Sequence, residues 1–176
     1  MPLARLLALL LTCLTLMAAG ATRVAARPYN DDLNAAGLII EDFVTSGTTV
    51  GATREPNEPF HWWVGEGGSV WYYWLVFDGG CYTVDTCGSN FDTVVAVYQA
   101  PSYGPFLLNK IASNDDSSTC STGSRQSSVT VELPRDGFFF IAVAGFGKND
   151  AGEYTLRITR CPAPANDDYD DAQLLS

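Results

Sequence analysis

Carboxylates set in turns, aromatic rings gathered around a lone histidine, and cysteines are the side chains of this sequence with chemistry to offer. Asp92 follows the turn residues Gly88-Ser89-Asn90, and Asn114-Asp115-Asp116 opens a stretch rich in Ser, Thr and Gly. Calcium gathers hard oxygens from carboxylates, amides and backbone carbonyls. Asp92, Asn114, Asp115 and Asp116 are therefore the expected ligands of a Ca²⁺ site, provided the fold joins their two loops. Without a cation, carboxylates brought that close would repel one another and hold their protons more tightly. Asn30-Asp31-Asp32 is a second, smaller acidic group, and Asp85 is expected to serve as a hydrogen-bonding partner within a sheet.

The cysteines supply the means of joining loops. Cys13 lies in an apolar leader, which leaves Cys81, Cys87, Cys120 and Cys161. An even number of cysteines behind an export signal reads as two disulfides. Cys81 and Cys87 are separated by six residues of extended sequence, about 20 Å, whereas bridged Cα atoms lie no more than about 7 Å apart. Those two are not partners in an extended segment. Of the remaining pairings, Cys87–Cys120 with Cys81–Cys161 is preferred: it draws the two acidic loops together and ties the closing strand back to the sheet.

Trp62, Trp63, Trp71, Tyr72, Tyr73, Trp74 and Tyr82 crowd one region. Trp71 and Trp74 fall in an apolar run and are expected in a core. Trp62 and Trp63 fall in a loop, where exposed rings offer large area for sugar rings or apolar polymer. They are the expected ligand-binding residues. His61 is the only histidine, and no serine occupies a G-x-S-x-G setting, so nucleophilic catalysis finds no footing. His61 is expected to be a hydrogen-bonded structural residue, and the chain is read as a non-enzyme.

The elements that must position these residues are almost all strands. Short runs rich in Val, Ile, Thr, Tyr, Phe and Trp alternate with Gly, Asn, Asp, Ser and Pro, which predicts an all-β, two-sheet β-sandwich with jelly-roll-like connections. Strands are expected near Leu38–Thr45, Thr48–Thr53, Ser69–Asp78, Cys81–Thr86, Thr93–Gln99, Leu107–Ala112, Ser128–Leu133, Phe138–Ala144 and Glu153–Arg160. A single helical turn is expected after Asp31 or Asp32. Val70–Phe77 and Phe138–Val143 are apolar on both faces and should lie inside a sheet. Ser128–Leu133 alternates and should keep one face in water.

Arg5 followed by the apolar run Leu6–Met17 and small residues to Ala26 reads as a cleavable signal peptide over residues 1–26. The run is shorter than the ~20 residues of a membrane span. Secretion to the extracellular space or cell surface follows, with no membrane insertion after cleavage. Losing Arg5 and Arg23 leaves 8 basic against 20 acidic residues, a net charge near −12. That balance disfavours nucleic acid and anionic lipid, and suits a divalent cation. Pro162-Ala163-Pro164-Ala165 reads as a linker. Beyond it, Asn166-Asp167-Asp168 with Ala172 and Leu174 repeats Asn30-Asp31-Asp32 with Ala36 and Leu38 at a constant offset. Residues 166–176 are thus expected to begin a second, truncated repeat, with residues 28–161 as one complete module and tandem modules possible.

Several ordered segments resemble the bacterial pre-peptidase C-terminal domain. They are Asn30–Ala36, Val50–Pro59 with His61, Gly67–Tyr72, Asp85–Tyr98, Ala112–Ser117 and Ile141–Phe146, spanning residues 30 to about 160. The resemblance implies a secreted β-sandwich without catalytic residues, an accessory role in binding substrate or matrix or in secretion and maturation, and calcium binding in some relatives. In that family the module accompanies a secreted hydrolase or stands in tandem arrays, and here it is expected to stand without an attached catalytic domain. The expectation is a secreted, calcium-stabilised module for an extracellular polysaccharide or matrix protein. The alternatives are a structural repeat of a larger surface protein, or a secretion or processing module of a secreted peptidase.

Overall fold

The computed structural model describes residues 26–40, 42–63, 66–100, 108–121 and 124–162. The expected signal peptide, all of the linker but Pro162, and the expected second repeat over 166–176 lie outside the described residues. Nine strands form two sheets: β1 (Gly37–Ile40), β2 (Phe43–Thr48), β3 (Ser69–Val76), β4 (Gly80–Asp85), β5 (Thr93–Gln99), β6 (Asn109–Asn114), β7 (Ser128–Leu133), β8 (Gly137–Gly145) and β9 (Glu153–Arg160). One sheet has the order β1-β3-β8-β5-β6 and the other β2-β9-β4-β7. Only the β5–β6 connection stays within a sheet; every other one crosses the sandwich. All described pairings are antiparallel except β1 with β3.

Strand alternation builds the core directly. Val70, Tyr72, Trp74 and Val76 of β3 join Phe139, Ile141 and Val143 of β8 and meet Tyr82, Val84, Leu156 and Ile158 from the facing sheet. Each such side chain contributes roughly 1.5–3 kcal/mol on burial. Tyr72 and Tyr154 meet across the core with their hydroxyls 2.6 Å apart, and burial pushes both phenols up. β3 and β8 are interior strands, as their two apolar faces require. The outer face of the five-stranded sheet carries a second, smaller cluster of Trp71 from β3, Ala96 and Tyr98 from β5 and Ala142 from β8. A 3-10 turn, Leu33–Ala35, and the proline-rich loop through His61 cover it.

Three expectations are corrected. The single strand expected over Leu38–Thr45 is two, β1 and β2, one in each sheet. Ile39 points into the core from the first sheet and Phe43 packs against it from the second, so the apolar spacing persists while the chain changes sheet. The strand expected over Thr48–Thr53 is a turn beyond Thr48: Ala52 N–H donates to Thr49 O at 2.9 Å, and Gly51 has φ of 82°, where glycine carries no Cβ penalty. β6 starts and ends two residues later than the expected run beyond Leu107, so Asn114 is its last residue. The helical turn falls where expected, but Asp32 gives it no side-chain cap. Glu55 from the proline-rich loop accepts the Leu33 N–H instead, at 2.6 Å.

Both disulfides have the expected partners. Cys81–Cys161 joins the start of β4 to the end of β9, with Cα atoms 5.3 Å apart. Cys87–Cys120 joins the loop after β4 to the loop after β6, at 5.0 Å. Such bonds persist in an oxidising compartment. Among the described residues no helix is long and apolar enough to cross a membrane.

Candidate functional site

Two loops meet at the end of the sandwich where β5 begins and β6 ends. Asp92 immediately precedes β5, and Asp115 and Asp116 immediately follow β6. The β5–β6 pairing sets Val95 opposite Asn114, which carries the residues just outside the ladder toward one another. One carboxylate oxygen from each of Asp92, Asp115 and Asp116 lies within 4.8 Å of the others. The buried hydroxyl of Ser127 holds the base of the site, 2.5 Å from Asp115 O and 2.6 Å from Thr93 O. Thr86 and Thr93 extend this buried hydroxyl group, with oxygens 2.6 Å apart.

The electrostatics of the cluster are those of an under-compensated acidic group. Burial, then Asp116 and Asp92, push the Asp115 carboxyl up to about 6. Burial and Asp116 also raise Asp92, against a partial offset from Arg125, whose guanidinium lies 3.3 Å from Asp92 Oδ2 on the solvent side. Asp92 Oδ1 and Asp115 Oδ1 are buried without a hydrogen-bond partner among the described residues. A buried acceptor left unmade is costly. A divalent cation bound to these oxygens would remove both the orphaning and the repulsion, and three carboxylates with nearby backbone carbonyls are its preferred donor type. The residues fit Ca²⁺.

Asn114 does not converge with them: its Oδ1 accepts the Ser128 N–H at 3.1 Å, across to β7. The smaller acidic group does not converge either. Asn30 Nδ2 donates to Trp71 O at 3.0 Å, and Asp31 accepts from the Thr53 N–H and hydroxyl at 2.5 and 3.0 Å. Those residues fasten the chain's approach to β1. Asp85 accepts from Cys87 N–H and from Arg157, at 3.0 and 3.2 Å, a role inside the sheet.

The second site is an aromatic ledge on the loop from Arg54 to Glu66. Trp62 and Trp63 are each 46 % exposed. Trp63 donates its indole N–H to Phe146 O at 3.2 Å and packs its ring on Phe146, centroids 5.4 Å apart. The loop backbone is set by a carboxylate that composition alone places at the surface. Glu66, fully buried, accepts the backbone N–H groups of His61, Trp62 and Trp63 and pairs with Arg54 at 2.8 Å. Arg54 also donates to the carbonyls of Glu58 and Pro59 and lies over the Phe60 ring.

His61 is buried, with Nε2 2.9 Å from Glu58 Oε1 and Nδ1 2.7 Å from the Tyr98 hydroxyl. With Nε2–H donating to Glu58, Nδ1 is left to accept the Tyr98 proton, and burial holds that phenol protonated. The buried Ser69 hydroxyl donates to Glu58, not to the imidazole. The order is therefore serine, carboxylate, histidine, and lacks the serine–histidine contact that general-base activation needs. Burial raises the Glu58 carboxyl, but the hydrogen bonds it accepts from His61, Ser69 and the Glu55 N–H outweigh it and set it below the usual range. Sequence reading missed Arg54, Glu58 and Glu66 as a frame. The available signal was a lone arginine and several acids enclosing a histidine that had to find partners.

No family model matches this sequence, and no curated protein matches it. Solved structures similar to this chain include the pre-peptidase C-terminal domain of a collagenase from Bacillus anthracis, 12 % identical over 76 % of this chain and 99 % of that one, TM-score 0.48. PliG of Aeromonas hydrophila, a periplasmic inhibitor of g-type lysozyme, is 17 % identical over 70 % of this chain and 97 % of its own, TM-score 0.40. CorA, a surface-associated copper-binding protein of Methylomicrobium album BG8, is 10 % identical over 72 % and 98 %, TM-score 0.42.

Proposed function

We propose that this protein is a secreted, non-catalytic module that holds an extracellular polymer, carbohydrate or matrix protein, on the Trp62–Trp63 ledge, with Ca²⁺ bracing the neighbouring acidic loops. There Asp92 O accepts the N–H of the Phe146 on which Trp63 rests. The observation that carries this reading is the Glu66 carboxylate, which spends its hydrogen-bonding capacity on fixing two half-exposed tryptophans. Rigid exposed rings bind at low entropic cost, because little freedom remains to be lost. Asp92, Asp115 and Asp116 would hold the cation, which would neutralise their charge and cross-link the loops that Cys87–Cys120 already joins.

The test is retention of the full chain on insoluble polysaccharides and on collagen, with and without chelator, for wild type and for Trp62→Ala with Trp63→Ala. Retention by wild type and its loss in the double variant is the expected result. Equal retention by both would remove the ledge from the site. Calcium should raise the melting temperature, and Asp115→Asn should abolish that rise.

A further inference from the structure

Two aspartates of this chain are followed by glycine, in Asp78-Gly79 and Asp136-Gly137. Such a pair can close on itself, because glycine has no side chain to shield the backbone nitrogen that attacks the carboxyl carbon. The fold treats the two differently. Asp78 and Gly79 lie between β3, which ends at Val76, and β4, which starts at Gly80. The Asp78 side chain is 66 % exposed and faces the exposed Arg135 guanidinium at 3.5 Å. The Gly79 N–H has no hydrogen-bond partner among the described residues, which leaves that nitrogen uncommitted. Asp136, by contrast, donates its N–H to Phe77 O, and Gly137 is the first residue of β8, in register with Val76 of β3. Turning that peptide would break the ladder between two interior strands. Asp116 precedes a serine, but the Ser117 N–H is held by Gln126 O at 2.8 Å.

The carbonyl between Asp78 and Gly79 also carries more donors than a turn carbonyl needs. Asp78 O accepts the Tyr82 hydroxyl at 2.5 Å and an Arg160 N–H at 3.2 Å. The same Arg160 nitrogen reaches Gly79 O at 3.1 Å. Drawing electron density through the Asp78 carbonyl has two effects, and charge-assisted bonds do it most strongly. It acidifies the Gly79 N–H, whose deprotonated form is the attacking species. It also makes this main-chain carbonyl the better electrophile once a ring has formed.

We propose that Asp78 is a site of spontaneous modification, isomerising through a succinimide to an isoaspartyl linkage with Gly79. In the first step Gly79 N bonds to Cγ of the protonated Asp78 carboxyl, whose hydroxyl departs as water with the nitrogen's proton. In the second, water adds to the Asp78 main-chain carbonyl carbon. The bond from that carbon to Gly79 N breaks, and the nitrogen stays on Cγ. One water is released and one is consumed, with no change of oxidation state. The main chain then runs through the former side chain and is one carbon longer. The former carbonyl becomes a carboxylate against the Arg160 guanidinium, a pairing that favours the isomer over return to aspartate.

The test is peptide mapping of the full chain after prolonged warming in neutral buffer. Isoaspartate is counted by mass-spectrometric fragmentation and by methyl transfer from a protein-isoaspartate methyltransferase. The expected result is isoaspartate at position 78 gathering about tenfold faster than at 136. In urea the two sites should converge, because only the fold separates them. Tyr82→Phe should slow the reaction at 78 severalfold, and Asp78→Glu, which would have to close a larger ring, should abolish it there. Equal rates at 78 and 136 in the folded chain overturn the proposal, as does a difference that persists in urea. Faster reaction in Tyr82→Phe overturns the role of the carbonyl donors. The comparison of 78 with 136 needs no variant, so it stands whatever Tyr82→Phe does to folding.

Discussion

Asp115 is the residue whose titration is most exposed to measurement. Its folded pKa of about 6 stands above the ordinary 3.8. Between those values the folded chain keeps a proton that the unfolded chain has released, so folding strengthens as pH falls through 6. Glu58 acts in the opposite sense. Its folded pKa is depressed, so the stability it contributes is complete above the unfolded value and is lost as pH falls below about 4.3. In chelator, the melting temperature should therefore rise from pH 7 toward pH 5 and drop again below pH 4. Differential scanning fluorimetry across that range checks it, and a steady decline from pH 7 downward would contradict the Asp115 assignment. Asp115→Asn should flatten the upper limb, because the amide neither titrates nor repels Asp92 and Asp116.

At the scale of elements, the Arg54–Glu66 loop behaves as a folded unit rather than a connection. Removing one partner of a buried ion pair leaves an uncompensated charge and costs about 3–5 kcal/mol. Glu66→Ala should approach the low end of that range, since Arg54 retains partial contact with water and two carbonyl partners. It should also free Trp62 and Trp63, read as a red shift and lower anisotropy of the indole emission. Such a frame is hard to see in a sequence. The bounds of β7 and β9 were legible because alternation runs up to Pro134 in one and starts after Gly152 in the other, and those of β5 because an unbroken apolar run lies between Asp92 and Gln99. Thr48–Thr53 misled because threonine and valine carry strand preference, whereas Gly51 and the bonds from Thr49 to Gly152 fix a turn. Glu58 and Glu66 read as surface charge because nothing local announces that Arg54, His61 and Ser69 will enclose them. The expected Cys87–Cys120 bridge signalled that the loops of Asp92, Asp115 and Asp116 would meet, whereas nothing local signalled that Asn114 is occupied by the Ser128 N–H.

For the whole molecule, the two disulfides divide the work unequally. Cys81–Cys161 spans 80 residues and Cys87–Cys120 spans 33. On loop-closure entropy alone, the longer bridge restricts the unfolded chain by about 0.8 kcal/mol more. Replacing Cys81 and Cys161 with serine should thus lower stability in urea more than replacing Cys87 and Cys120, provided both are compared in chelator. In calcium the order should narrow or reverse, since the shorter bridge also aligns the acidic loops.

The longer bridge has a mechanical consequence. β9 ends at Arg160, with Cys161 bonded to Cys81 at the start of β4, and the described chain leaves at Pro162. Tension applied downstream would enter the sandwich through a covalent link into β4. It could not peel β9 from its neighbours one hydrogen bond at a time. A tether attached beyond Pro162 would pull on two strands at once, so force applied there would be shared between β9 and β4 from the first increment of load.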